Sequence, residues 1–390
     1  MTKAMSNATK QLPKLKQRLQ QLLSSASVSS VSPEWDMGNL TVIQLLASWF
    51  ESLGFTIEIQ ALAEGKANLI ATLGSGEGGL VLSGHSDTVP FNESLWQYNP
   101  LNATEADNRF YGLGSCDMKG FFALIIEAVL PLIESGVELK QPLIILATAD
   151  EESSMSGAKA LSLASLKKPR AAIIGEPTSL KPIHSHKSIM MHALEIQGQS
   201  GHSSNPALGH SALDAMSDVL NELRNFRQEL AANFQNPHFE VQNPTLNLGC
   251  IHGGDNPNRI CNHCALHFDF RGLPGMNNRE VLRAIEKRLA PIATTHQVKF
   301  EYRSLFGGVE AFLQDKDSEL IQLVEKLTAK ESGAVAFATE APFLKEMQIN
   351  TVVLGPGSID QAHQPNEYLA LDQIKPTVTI LQDLIKHYCL

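Results

Sequence analysis

Four short apolar runs, Leu80–Gly84, Leu143–Thr148, Ala171–Gly175 and Thr351–Leu354, constrain this chain most, because each leads into a glycine-, acid- or histidine-bearing turn. Runs of this length without polar interruption read as buried strands rather than helices. Asn68–Leu73 is a further strand of the same kind. Between and after them, Thr41–Leu53 (stopped by Gly54), Gly120–Leu132, Ser318–Ala329 and Ile374–His387 carry helical periodicity. Buried strands alternating with helices predict an α/β layer fold with a mostly parallel central sheet.

The segment from Met190 onward has a different rhythm. Met190–Gln197 alternates as a half-buried strand, Ser211–Glu229 is helical, and Thr245–Ile251 and His263–Arg271 are two more strands. Asn278–Leu289 is helical again and Val298–Arg303 closes the series as a strand. The order β-α-β-β-α-β is that of a ferredoxin-like α+β unit. At 390 residues the chain exceeds one ordinary core. We therefore expect a discontinuous domain of 1–187 and 304–390 with an inserted domain at 188–303.

A formal charge of -10 disfavours nucleic acid and anionic membranes as partners. The basic, polar N-terminus, with its periodic leucines, suits a surface helix and lacks the apolar run of a secretory signal. The longest apolar stretch, Phe121 to Ile133, contains Glu127 and Pro131, is too short to span a bilayer, and reads as a buried helix. Five scattered cysteines give no disulfide framework, so a cytoplasmic setting is expected.

The chemistry collects after the strands. His85 and Asp87 follow the first run, Asp150-Glu151-Glu152 the second, Glu176 the third, and His363 comes shortly after the fourth. Asp117 lies in Gly114-Ser-Cys-Asp-Met-Lys-Gly120, at the mouth of a helix. Taken singly, each has a bland reading: a structural histidine, a helix-terminal acid, a solvated acidic loop. Five such motifs at one sheet edge point to a cation, since ligand chemistry gathers at the carboxyl ends of strands in open α/β sheets.

These motifs resemble the M20 family of metallopeptidases and deacylases from about residue 40 onward. The resemblance implies two zinc ions on the α/β domain and an inserted ferredoxin-like lid through which two copies form a homodimer. By that match His85 and Glu176 hold one ion, Glu152 and His363 the other, and Asp117 bridges them. A cis peptide is expected at Asp117–Met118. Donors of nitrogen and oxygen without thiolate suit Zn²⁺, with Co²⁺ or Mn²⁺ as substitutes. Water between two such cations becomes a nucleophile near neutral pH. The family's general base matches Glu151, which in an extended segment points away from Glu152. Asp87 matches the acid that bonds the first histidine.

Outside the metal set, the resemblance makes His202 a catalytic support. Asn258 and Arg259 lie in a glycine-rich loop, and Arg259 suits a substrate α-carboxylate. Runs such as Gly175-EPTSLKP, Thr245-LNLGCIHGGD and Leu354-GPGSIDQAHQPNEY resemble the branch acting on N2-acetyl-L-ornithine. Glu340 could attract that substrate's side-chain ammonium; its rival role is a helix cap. Cys261 and Cys264 fall on opposite faces of a strand and read as structural. Ser188 and Gly272 stand where the family pattern leads one to expect Gly and Pro. Alternatives are another M20 hydrolase (a broad N-acyl-amino-acid deacylase, a desuccinylase or a dipeptidase), a noncatalytic metal or amino-acid binding protein, or a structural zinc domain. Retention of Glu151 argues against the binder, and the thiolate-free donor set against the structural domain.

Overall fold

The computed structural model of the chain describes residues 12–63 and 65–390. It divides into two compact units: one holds the residues up to His184 with Gln314–Gly333 and Thr339–Leu390, the other Ser185–Leu313 with Ala334–Ala338.

Along the first unit run α1 (Leu15–Ser24), α2 (Leu40–Ser52), β1 (Thr56–Ala61), β2 (Ala67–Leu73), β3 (Leu80–His85), α3 (Lys119–Ser135), β4 (Leu143–Thr148), β5 (Ala171–Pro177) and β6 (Ile183–His186). The chain passes into the second unit within β6. There it forms β7 (Ile189–Gln197), α4 (Ala212–Asn233), β8 (Thr245–Gly253), β9 (His263–Arg271), α5 (Asn278–His296) and β10 (Lys299–Val309). It returns through α6 (Glu319–Thr328), α7 (Ala341–Glu346), β11 (Asn350–Gly355) and α8 (Ile374–Cys389).

In the first unit the strands lie in the order β1-β2-β4-β3-β5-β11-β6. The four at the centre are the apolar runs of the sequence, and they are mutually parallel. Leu80 pairs with Leu143 and Ala171, and Ala171 with Asn350, so these strands end at one edge. β2, β1 and β6 extend the parallel heart with antiparallel pairings. β1, largely exposed at the sheet edge, lacks the apolar run by which the central strands are legible. The helix predicted around Phe121 is α3, buried from Lys119 through Ile126. Phe121 and Phe122 in its first turn are at most 2% exposed. Burying such a side chain is worth about 1.5–3 kcal/mol. The N-terminal helix is α1, whose buried Arg18 pairs with Glu127 of α3. The part of that segment before residue 12 lies outside the described residues. No described helix is long and apolar enough to cross a membrane.

The second unit is a four-stranded antiparallel sheet in the order β8-β9-β7-β10, and its elements follow as β-α-β-β-α-β. Alternation decides its faces. Cys264, Leu266, Phe268 and Phe270 of β9 enter the core with Met216, Val219 and Leu223 of α4 and Ile285 and Leu289 of α5. The two departures from the family pattern meet there. The Gly272 N–H donates to Ser188 Oγ at 2.9 Å, and that hydroxyl donates to Asn278 Oδ1 at 2.7 Å. A Cβ on residue 272 would lie 2.7 Å from Ser188 Oγ. The serine and the glycine thus compensate each other, since proline would have no N–H to give.

Candidate active site

Register places the chemistry. β3 delivers His85 at its last residue, level with Thr148, the last of β4, after which the chain turns at Asp150 into Glu151 and Glu152. β5 carries Glu176 near its end, and the loop after β11 leads to His363. Asp117 arrives from the loop before α3, and the Asp117–Met118 peptide is cis.

Asp117 lies between the two imidazoles. Its Oδ1 is 3.0 Å from His85 Nε2 and its Oδ2 is 3.6 Å from His363 Nε2. Glu152 stands 3.0 Å from His363 Nε2, and Glu176 4.0 Å from His85 Nε2. The ligand atoms of His85, Glu151 and Glu176 all lie within 4.8 Å of one another, as do those of His85, Asp117 and Glu152. His85 Nδ1 lies 3.0 Å from the backbone carbonyl of Asp87, a contact that fixes the ring with Nε2 toward Asp117. The expected carboxylate–imidazole bond of Asp87 is not the contact found. That carboxylate is 3.8 Å from Nδ1, and its Oδ2 accepts the Glu152 N–H at 3.1 Å instead. Asp87 therefore touches the histidine through its backbone and the acidic loop through its side chain.

The electrostatics are those of acids crowded out of water. Burial, with the charges of Glu176, Glu152 and Glu340, pushes Glu151 well above the usual carboxylate range. Burial raises Glu176 likewise, and takes Asp87 to about 6 and Glu340 to about 7. Burial also pushes Asp117 upward, but its bond to His85 and the nearby His363 outweigh it and hold the group low. The hydrogen bond to Glu152 lifts His363 to about 9. A set of buried carboxylates and two imidazoles whose ligand atoms converge, with no thiolate among them, is the donor chemistry of a divalent-cation centre. These residues fit such a group.

The sequence showed Asp150 only as part of an acidic run, and did not show what holds it or what Glu367 does. Asp150 has a left-handed φ of 60°, which turns the chain so that Glu151 and Glu152 follow at the site. Its carboxylate accepts from Lys66 Nζ (2.7 Å), Ser29 Oγ (2.8 Å) and Ser156 Oγ (2.7 Å), a clamp drawn from distant segments. Glu367 is buried against the Gly114–Asp117 loop. Only its place four residues after His363 hinted at it.

Glu340 is 2% exposed, with Oε2 accepting from Thr148 Oγ1 at 2.9 Å and Oε1 without a partner. It occupies the N-cap position of α7 but makes no side-chain cap bond. His202, Asn258 and Arg259 belong to the second unit. His202 and Arg259 form an isolated β-bridge, Ser203 N–H donates to the Asn258 carbonyl at 3.1 Å, and Arg259 pairs with Asp255 at 2.6 Å. Of the three, Arg259 lines a cleft of about 650 Å³ together with His210 and His296.

The sequence profile of Peptidase family M20/M25/M40 matches residues 81–387. Acetylornithine deacetylases of Aliivibrio salmonicida and Vibrio cholerae serotype O1 are 45% and 47% identical, each over 97% of this chain and 99% of their own length. The M20 family metallo-carboxypeptidase Sso-CP2 of Sulfolobus solfataricus superposes with a TM-score of 0.75 at 17% identity, covering 96% of this chain and 99% of that one. Site geometry, profile and relatives agree, and the chain belongs to peptidase family M20/M25/M40.

Proposed function

We propose that this chain hydrolyses N2-acetyl-L-ornithine to L-ornithine and acetate at a centre of two divalent cations, most simply Zn²⁺ with Co²⁺ or Mn²⁺ as substitutes. The observation that carries this reading is the Asp117 carboxylate, with one oxygen toward His85 and the other toward His363. In the proposed arrangement His85 and Glu176 hold one cation, Glu152 and His363 the other, and Asp117 both. Cations bound there would make water nucleophilic at neutral pH and polarise the acyl carbonyl.

The remaining work falls to the chain. Glu151 takes the proton of the attacking water on its carboxylate and delivers it to the departing amine nitrogen. Its burial supports that role, because a carboxyl raised toward neutrality both accepts and returns a proton. Asp87 holds the Glu152 backbone and, through its carbonyl, the His85 ring. We assign His202 to support of the acyl oxygen, and Asn258 and Arg259 to the α-carboxylate, for which a guanidinium fork is suited. Glu340, with one unpartnered buried oxygen, supplies the charge that favours a cationic side chain. The relatives named above support the choice of substrate.

The test is hydrolysis of N2-acetyl-L-ornithine by EDTA-stripped protein with and without added Zn²⁺ or Co²⁺, beside acetylmethionine and succinyl-diaminopimelate. Turnover should depend on metal and fall about 10²–10⁴-fold in Glu151→Gln. Turnover of only the companion substrates refutes the proposed substrate, and none by metal-loaded protein refutes the enzyme.

We also propose a homodimer formed through the second unit. Leu208, Leu213, Phe234, Val241 and Ile251 there are each 44–50% exposed, so apolar side chains of that unit are open to a second copy. A monomeric sedimentation coefficient at micromolar concentration would refute it. A cytoplasmic setting is supported by five free cysteines.

A further inference from the structure

The loop that carries Asp117 is held from an unexpected direction. Glu367 is 1% exposed, and its carboxylate collects three backbone donors from that loop. Oε1 accepts from Asp117 N–H at 2.9 Å and Cys116 N–H at 2.8 Å, while Oε2 accepts from Gly114 N–H at 3.2 Å. The Glu367 carbonyl accepts a fourth bond from Gly112 N–H at 2.9 Å. Converging backbone N–H groups of this kind form a nest for an anion, here filled by the chain's own carboxylate.

The other end of the connection matters equally. Glu367 closes the turn that begins at His363, in which His363 and Asn366 have left-handed φ values of 60° and 62°. Non-glycine residues adopt that region rarely, so the turn depends on its anchors. Asn366 Oδ1 accepts from Gln97 N–H at 2.6 Å, and Glu367 supplies the bonds to the 112–117 loop. After it, Tyr368 pairs with Tyr111 in a short antiparallel ladder. A single side chain thus joins the backbone of Asp117 to the segment bearing His363.

We propose that Glu367 is a positioning residue that sets the Asp117 carboxylate between the two imidazoles, and thereby the spacing and affinity of the paired cations. This rests on the metal assignment above. Glu367 touches neither substrate nor cation; it acts through the backbone of one ligand and the turn of another.

Glu367→Gln keeps the shape but sets an amide N–H₂ against at least one of the three donors, and Glu367→Ala removes all three bonds. The measurement is Co²⁺ titration of the full-length, EDTA-stripped chain, read by visible absorption, by spin coupling between the two ions, and by calorimetry. Outer partners of metal ligands are worth about 10–100-fold in affinity. Glu367→Gln should therefore weaken the second Co²⁺ by about that factor and reduce the spin coupling, with Glu367→Ala worse. Glu127→Gln, which removes the charge facing Arg18, calibrates a purely structural loss: it should lower the melting temperature without moving Co²⁺ affinity. If Glu367→Gln binds two Co²⁺ ions with wild-type affinity and spectrum, the inference is overturned even if that variant is less stable. A wild-type chain that takes up no Co²⁺ overturns the metal assignment, and this inference with it.

Discussion

Lys66→Met tests how the acidic loop is held. Lys66 Nζ lies 2.7 Å from Asp150 Oδ1 and 2.8 Å from Asp36 Oδ2, with its side chain 13% exposed and that of Asp150 9%. Exposed ion pairs contribute about 0–1 kcal/mol, whereas breaking a buried one by removing a single partner costs about 3–5 kcal/mol. This pair lies nearer the buried limit, but Ser29 and Ser156 still donate to Asp150 after the change, which softens the loss. Methionine keeps the apolar stem and removes only the ammonium. The expected destabilisation is about 2–3 kcal/mol. All three tryptophans, Trp35, Trp49 and Trp96, lie in the first unit, so their fluorescence reports its unfolding alone. With a urea slope of about 2–3 kcal/mol/M the midpoint of the metal-free protein should fall by about 1 M. Metal must be absent, because a ligand bound only by the folded state would mask the change. Lys66→Arg should recover at least half of the shift. A midpoint within about 0.2 M of wild type would refute the clamp, since that equals an exposed pair.

Other expected outcomes follow from the same geometry. Glu340→Gln should reduce kcat/KM for N2-acetyl-L-ornithine at least tenfold more than for acetylmethionine; equal losses would remove Glu340 from substrate selection. Ser188→Ala leaves the Gly272 N–H and Asn278 Oδ1 without their buried partner and should destabilise the second unit by about 1–3 kcal/mol. Hydrogen exchange at the Gly272 amide measures this directly, and an unchanged rate would refute it. A Cβ at Gly120 would stand 2.2 Å from the Ser115 carbonyl oxygen, so Gly120→Ala must shift the Asp117 loop. Calorimetry should find weaker Co²⁺ binding in that variant; wild-type affinity would show the loop can yield.

Some of this molecule is written locally. The runs Leu80–Gly84, Leu143–Thr148, Ala171–Gly175 and Thr351–Leu354 became the central parallel strands because continuous apolarity leaves no face for water. The alternation of Met190–Gln197 likewise marked β7 as half-buried, with Met190, Leu194 and Ile196 turned into the core. The polar residues at the strand ends named the metal chemistry before any fold was known, since acids and imidazoles are costly to bring together without a cation.

Other features needed the assembled chain. β1 is exposed and mixed in pattern, and its strand state comes from pairing with β2. Asp87 looked like a partner for the His85 ring, yet backbone direction gave that place to its carbonyl and sent the carboxylate to Glu152. Glu367 and Lys66 act on residues 250 and 84 positions away, and Ser188 meets Gly272 across 84. Sequence alone determined which donor types stand at the strand ends and which segments are buried, because hydrophobic burial and ligand type are properties of individual residues. Only the tertiary structure decided which oxygen faces which nitrogen and what holds it there, because hydrogen bonds depend on distances that the pairing of remote strands and loops creates.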